Sequence, residues 1–208
     1  MNKDNSANFK KITQDEFLLA LFSKLQELVP DLSVKNNARN SGLRVDILRR
    51  LLGQCLTDDE RAELYNLPKG CRIREGAKII SPENLKIGEH CWIGENAILD
   101  ASGGLEIGSH TSIGLSVYIW THSSHMTNLL MCNEIKSKMI KRLKTKVGSG
   151  VFIGGPSVIL PGVTIGDQVL IKPFSKISRD VPSRSIVDGV DIKEGVLSDK
   201  FLMKMSRR

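Results

Sequence analysis

Aromatic residues make up only 5% of this 208-residue chain, and histidine occurs just four times. Single-stranded nucleic acid is commonly gripped by stacking bases on aromatic rings. With so few rings and no recognisable binding motif, no nucleic-acid partner is expected. The four cysteines, Cys55, Cys71, Cys91 and Cys132, lack the paired short spacing of a metal site. They read as reduced thiols of a cytosolic protein, and no metal is expected. No window approaches eighteen uncharged apolar residues, so no transmembrane segment is expected. The polar start, Met1-Asn-Lys-Asp-Asn-Ser6, does not resemble a secretory signal peptide. The expected location is the cytoplasm, with peripheral attachment at the inner membrane face left open.

What the chain does have is basic charge in excess, with 30 Lys and Arg against 23 Asp and Glu, a formal net charge of +7. That balance favours anionic partners without naming one. At 40% hydrophobic residues a chain of this length easily buries a core.

The dominant pattern lies between Val147 and Ile177. An apolar β-branched residue returns every sixth position, at Val147, Ile153, Ile159, Ile165, Ile171 and Ile177. A small or β-branched residue follows four places later, as Val151, Ser157, Val163, Val169 and Ser175. Neither a helical period nor simple alternation produces this spacing. A six-residue repeat predicts a mainly β fold, a parallel β-helix in which each hexapeptide makes one short strand and a bend. Three strands close one triangular coil, and coils stack at the strand spacing of roughly 4.8 Å.

Upstream, the same pattern runs through Ile73, Ile79, Ile87, Ile93, Leu99, Ile107, Ile113 and Ile119. Two steps are eight residues rather than six, at Ser81–Asn84 and at Ala101–Gly104. Assigned in rotation to three sides, 99 and 119 share one side and 87 and 107 share another. Val147 then takes the next side after Ile119, so residues 121–146 form a loop extruded from one bend. The prism is expected over about residues 71 to 181, with Arg179–Pro182 ending the repeat and helices only at the ends. The wider division is a disordered 1–12, a helical segment 13–68, the β-helix 69–193 and a C-terminal tail 194–208.

Within the helical segment, Thr13-Gln-Asp-Glu16 is a capping box, and Phe17, Leu18, Leu21, Phe22, Leu25 and Leu28 form a stripe ending before Pro30. A second helix is expected near Leu43 to Leu56, with Leu43, Ile47, Leu51 and Leu52 on one face. Thr57-Asp-Asp-Glu60 caps a third, to about Tyr65. These stripes are expected to pack on the end of the prism. A last short helix is expected from Leu197 to Met205.

The extruded loop opens with Tyr118-Ile-Trp-Thr-His122-Ser-Ser-His125. An imidazole at a loop mouth suits general-base chemistry. His90 and His110, both fourth residues of their repeats, read instead as exposed bend residues. The residues alone leave His122 open between these two readings. Asp100 and Ser102 fall one coil below Trp120 and His122. Asp100 could orient an acceptor or the imidazole, or simply hold bend amides. The loop also carries Lys136, Lys138, Lys141, Arg142, Lys144 and Lys146, either a solvated face or a surface that attracts an anion.

The stretch from Ile98 to His110, followed by Ile113 to His122, resembles the hexapeptide-repeat O-acetyltransferases that modify sugars and surface polysaccharides. Val147 to Gly189 resembles that family's C-terminal half. The resemblance implies a left-handed β-helix, a homotrimer, acetyl-CoA as donor, and active sites in grooves between subunits. It implies His122 as catalytic base, with His125 as fallback; the stacking of 120 over 100 adds Asp100, Ser102 and Trp120 as candidates near the acceptor. For CoA it points to Phe152, Gly155, Pro173, Ser178 and Lys193. Phe152 stands where the family often has Trp, and Pro173 and Asp191 also depart from its pattern. N-acetylation of an amino sugar is a close variant. A three-histidine zinc enzyme of the γ-carbonic-anhydrase type and a non-catalytic trimeric scaffold are the alternatives of other classes.

Overall fold

The computed structural model describes residues 38–131 and 139–206, together with Ala20, Ser23, Lys24 and Glu27. Those four residues of the expected first helix are helical; the rest of it, the tail 1–12, Cys132, Lys136 and Lys138 lie outside the described residues. The chain divides into a unit over residues 1–49 and a unit over 50–208.

The helix Ala38–Gly53 starts five residues earlier than expected. Along it Leu43, Ile47, Leu51 and Leu52 are all exposed, Leu51 at 59%. A different device covers the start of the prism. The helix Asp58–Leu64 begins at Thr57 with the expected capping box, and it buries Ala62 and Arg61. The Arg61 guanidinium donates to the carbonyls of Gly53 and Leu56, each at 2.7 Å, and to that of Ile73. A buried arginine is tolerable there because three backbone acceptors meet it.

From Arg72 onward the chain winds into three parallel sheets, a left-handed β-helix. The first side stacks Ile73, Ile93, Ile113, Ile153, Ile171 and Val187 in register. The second stacks Ile79, Leu99, Ile119, Ile159 and Ile177. The third stacks Ile87, Ile107, Val147 and Ile165, with Val181 bridging to Ile165. These side chains point into the prism, and each fully buried one contributes roughly 1.5–3 kcal/mol of transfer free energy. Val151, Ser157, Val163, Val169 and Ser175 are buried beside them, as the spacing predicts.

The prism runs further than expected. Ile186–Asp188 adds a parallel strand to the first side and buries Val187. The repeat survives because the step from Ile177 to Val181 is shortened, which hides it from a six-residue count. Asp191–Lys193 then folds back antiparallel on Ile186–Asp188 and closes the sheet. The last helix, Asp199–Ser206, lies close to where it was expected.

Candidate active site

All the excess length of the repeat falls at one corner, between the second and third sides. Steps of eight residues separate Ile79 from Ile87 and Leu99 from Ile107, and in the next coil the whole loop lies between Ile119 and Val147. In the lowest coil this corner is the turn Pro82–Asn84. One coil up it is Ala101–Gly104. Helices are therefore not confined to the ends, and another, His125–Leu129, stands in the extruded loop.

The loop leaves and returns as a narrow ribbon. His122–Ser123 pairs antiparallel with Lys141–Arg142, placing Arg142 directly opposite His122. The returning strand is fastened where it rejoins the prism. The Leu143 amide donates to the Thr121 carbonyl at 2.8 Å, and the Thr145 hydroxyl to the Trp120 carbonyl at 2.9 Å.

Under the ribbon lies Asp100, 0% exposed. Its Oδ2 accepts from the Thr121 amide at 2.9 Å, from the Thr121 hydroxyl at 3.1 Å and from His122 Nδ1 at 2.6 Å. Its Oδ1 accepts from the Ser102 amide at 3.0 Å. Burial pushes the pKa of this carboxyl up; the hydrogen bonds from Thr121, Ser102 and His122 outweigh that and hold it below the usual carboxylate range. Both oxygens are engaged, so Asp100 faces the imidazole rather than open solvent, and it also holds the bend amides.

A carboxylate can only accept, so the neutral His122 ring carries its proton on Nδ1 and keeps the Nε2 lone pair free. Ser102 Oγ lies 3.0 Å from the same Nδ1. Trp120 meets the imidazole edge-on, with ring centroids 6.2 Å apart. The carbonyl of Thr121 approaches so closely that a Cβ at Gly103 would collide with it. The Gly103 amide donates to the Thr121 hydroxyl at 2.8 Å. The result is an imidazole with one nitrogen fixed on a buried anion and the other available to take a proton.

The structure thus gathers His122, Asp100, Ser102 and Trp120 at one corner. His125 is next to them in the chain but exposed, with its ring against the Ser123 hydroxyl. The expected donor-binding residues are elsewhere. Phe152 is 51% exposed on the first side. Gly155 and Pro173 lie at the corner between the first and second sides, where any Cβ at 155 would strike the Leu115 carbonyl. Ser178 lines a shallow cleft in the top coil with Arg179, Val190 and Asp191. Lys193 sits opposite Ile186 in the closing hairpin.

His90 and His110 stack on one another with ring centroids 5.0 Å apart, at the corner between the third and first sides. Among the described residues no three His, Cys, Asp or Glu side chains are grouped to hold a metal ion. Cys71 and Cys91 are buried and donate to the carbonyls of Gly88 and Gly108. Burial pushes the Cys91 thiol up to about 11, leaving it a poor nucleophile.

Sequence reasoning missed Thr121, Thr145 and the pairing of Arg142 with His122. Thr121 could have been found by register. It occupies the position of Ala101 one coil below, where a hydroxyl has no apolar reason to be.

The description "Bacterial transferase hexapeptide (six repeats)" matches residues 144–179. The galactoside O-acetyltransferase of Escherichia coli (strain K12) is 28% identical over 120 residues, 57% of this chain and 59% of that protein. Nodulation protein L of Rhizobium meliloti (strain 1021) is 33% identical over 106 residues, 51% of this chain and 56% of that protein. The chain therefore spans less than two thirds of the length of these curated relatives. Among solved structures, a hexapeptide-repeat acetyltransferase of Vibrio cholerae aligns with TM-score 0.64 and 24% identity, over 78% of this chain and 95% of its own. Among the described residues no helix is long and apolar enough to cross a membrane. The chain is a left-handed β-helix built on the bacterial transferase hexapeptide repeat, the fold it shares with hexapeptide-repeat acetyltransferases.

Proposed function

We propose that the chain transfers an acetyl group from acetyl-CoA to a hydroxyl of a sugar or surface polysaccharide. The observation that carries this reading is the His122–Asp100 pair, a proton acceptor held in one tautomer at the mouth of a loop. His122 Nε2 takes the proton of the acceptor hydroxyl as its oxygen attacks the thioester carbonyl. The C–S bond breaks, the acetyl group stays on the acceptor oxygen, and the imidazolium returns its proton to the CoA thiolate. Asp100 stabilises the imidazolium and keeps the ring aligned. Transfer is direct, and no cysteine intermediate is needed. The relative named as a galactoside O-acetyltransferase supports the chemistry, as does the Vibrio cholerae acetyltransferase solved with acetyl-CoA bound.

Phe152, Gly155, Pro173, Ser178 and Lys193 are the residues proposed to hold the donor. In one chain, Phe152, Gly155 and Pro173 are separated from His122 by the width of the second side. A neighbouring subunit that lays its donor surface against the His122 corner would complete the site. A homotrimer of about 69 kDa, three times the 23.0 kDa chain, supplies three such grooves. Light scattering that finds a stable monomer at micromolar concentration would contradict this assembly.

The direct test is a thermal melt with and without acetyl-CoA, followed by acetyl transfer to a panel of sugars. A donor present at 100 times its Kd stabilises by about 2.7 kcal/mol, a readily measured rise in Tm. Absence of any rise, with no acetylated product, would overturn the reading.

A further inference from the structure

The corner that holds His122 also holds a cavity of about 440 Å³, reaching from Ser102 and Gly103 down to Glu83 and Asn84 and up to Arg142 and Lys144. Its charged lining is uneven in a specific way. Glu106 is taken up by Lys144, and it has Lys146 at 3.8 Å and Lys86 at 4.0 Å. These pairs hold the Glu106 carboxyl below the usual carboxylate range. Glu83, which also lines the cavity, lies one coil below Gly103 by register. Among the described residues Arg142 has no acidic partner, although it stands in the cavity wall. It is also directly opposite His122 in an antiparallel pair, so their side chains leave the ribbon on the same face with Cβ atoms about 5 Å apart.

From this juxtaposition the geometry points to an acidic acceptor: Arg142 binds a carboxylate or phosphate of the same sugar whose hydroxyl is presented to His122. The inference rests on the acetyl-transfer reading and adds the acceptor's class to it. A guanidinium suits either oxyanion because its planar fork gives two parallel hydrogen bonds. Lys144 and Lys86, already turned toward Glu106 at the same cavity, add positive field at its mouth without competing for Arg142. Asn84, on the lower shelf, offers an amide that can both donate to and accept from sugar hydroxyls.

The test is a binding titration that does not depend on turnover. Methyl glucuronoside, glucose 6-phosphate and methyl glucoside are titrated into the intact protein and into Arg142→Gln and Arg142→Lys, with binding read by NMR line shifts. Acetyl-CoA affinity is measured in parallel. The expected result is that one of the acidic sugars binds wild-type protein at least about tenfold tighter than the neutral sugar. That preference should vanish in Arg142→Gln, be partly restored in Arg142→Lys, and weaken with added salt. Acetyl-CoA affinity should not change. Equal binding of all three sugars to wild-type protein overturns the inference. So does a loss that appears in acetyl-CoA affinity instead, which would assign Arg142 to the donor's phosphates. An acidic preference with no acetylation of any sugar would sink the transfer reading while leaving the anion site standing.

Discussion

Replacing Asp100 with Asn removes the buried charge while keeping the shape of the side chain. In the native structure the carboxylate accepts from the Thr121 amide and hydroxyl, the Ser102 amide and His122 Nδ1. An amide has one oxygen, so its NH2 must confront at least one of these donors. If the oxygen faces Thr121 and His122, the Ser102 N–H loses its acceptor. A buried donor left unsatisfied costs about 1–3 kcal/mol, and hydrogen bonds to a charge contribute about 1.5–3 kcal/mol where neutral ones contribute about 1. The variant should therefore lose about 2–4 kcal/mol. At 2–4 °C per kcal/mol for a chain of this size, its Tm falls by roughly 5–15 °C.

The pH dependence follows from the direction of the shift. The folded carboxyl titrates below its unfolded value of about 3.9, because the hydrogen bonds outweigh burial. Its stabilisation is thus fully present above about pH 4 and is lost as pH falls through the lowered value. The Tm gap between wild type and Asp100→Asn should stay constant from pH 6 to 8 and narrow in acid. Turnover should fall at a temperature where the variant is still folded, because Asn carries no charge to stabilise the His122 imidazolium formed during transfer. The loss is bounded by the whole general-base contribution of about 10²–10⁴-fold. A variant with wild-type Tm and wild-type kcat would refute the arrangement derived for this corner.

Arg61→Met should lower Tm by roughly 5–15 °C, since the carbonyls of Gly53, Leu56 and Ile73 lose their shared donor at the start of the prism; an unchanged melt would mean that the end is sealed by something else. Gly103→Ala drives a methyl group into the Thr121 carbonyl and should cost about 1–3 kcal/mol, with kcat falling because Thr121 and His122 move together. Retained kcat at reduced Tm would separate the bend from the site. Phe152→Ala should raise the KM for acetyl-CoA and leave the prism's Tm within about 1 °C, since the ring is half exposed; an acetyl-CoA KM that does not move would remove Phe152 from the donor site.

The sequence showed the register because the interior of a β-helix admits one apolar residue per side per coil. Ile73 to Ile177 can be counted to their correct sides without coordinates. The two eight-residue steps placed Asp100 and Ser102 beneath His122 by the same counting. Counting fails where the chain departs from six without an apolar mark. The short step to Val181 conceals the last strand, and nothing in the spacing marks Arg61 as buried. The ribbon pairing of Arg142 with His122 depends on how a 26-residue excursion folds back, which no periodic signal reports. The exposed stripe of Leu51 and Leu52 shows a limit of another kind. Helical amphipathicity shows that a face is apolar, not what covers it.

Whether His122 is the proton acceptor is decided by the single-turnover rate of acetyl transfer in His122→Ala. The rate should fall by about 10²–10⁴-fold with acetyl-CoA affinity unchanged, and much less in His125→Ala, whose ring is exposed and lies against the Ser123 hydroxyl. Transfer at near wild-type rate in His122→Ala would contradict that role.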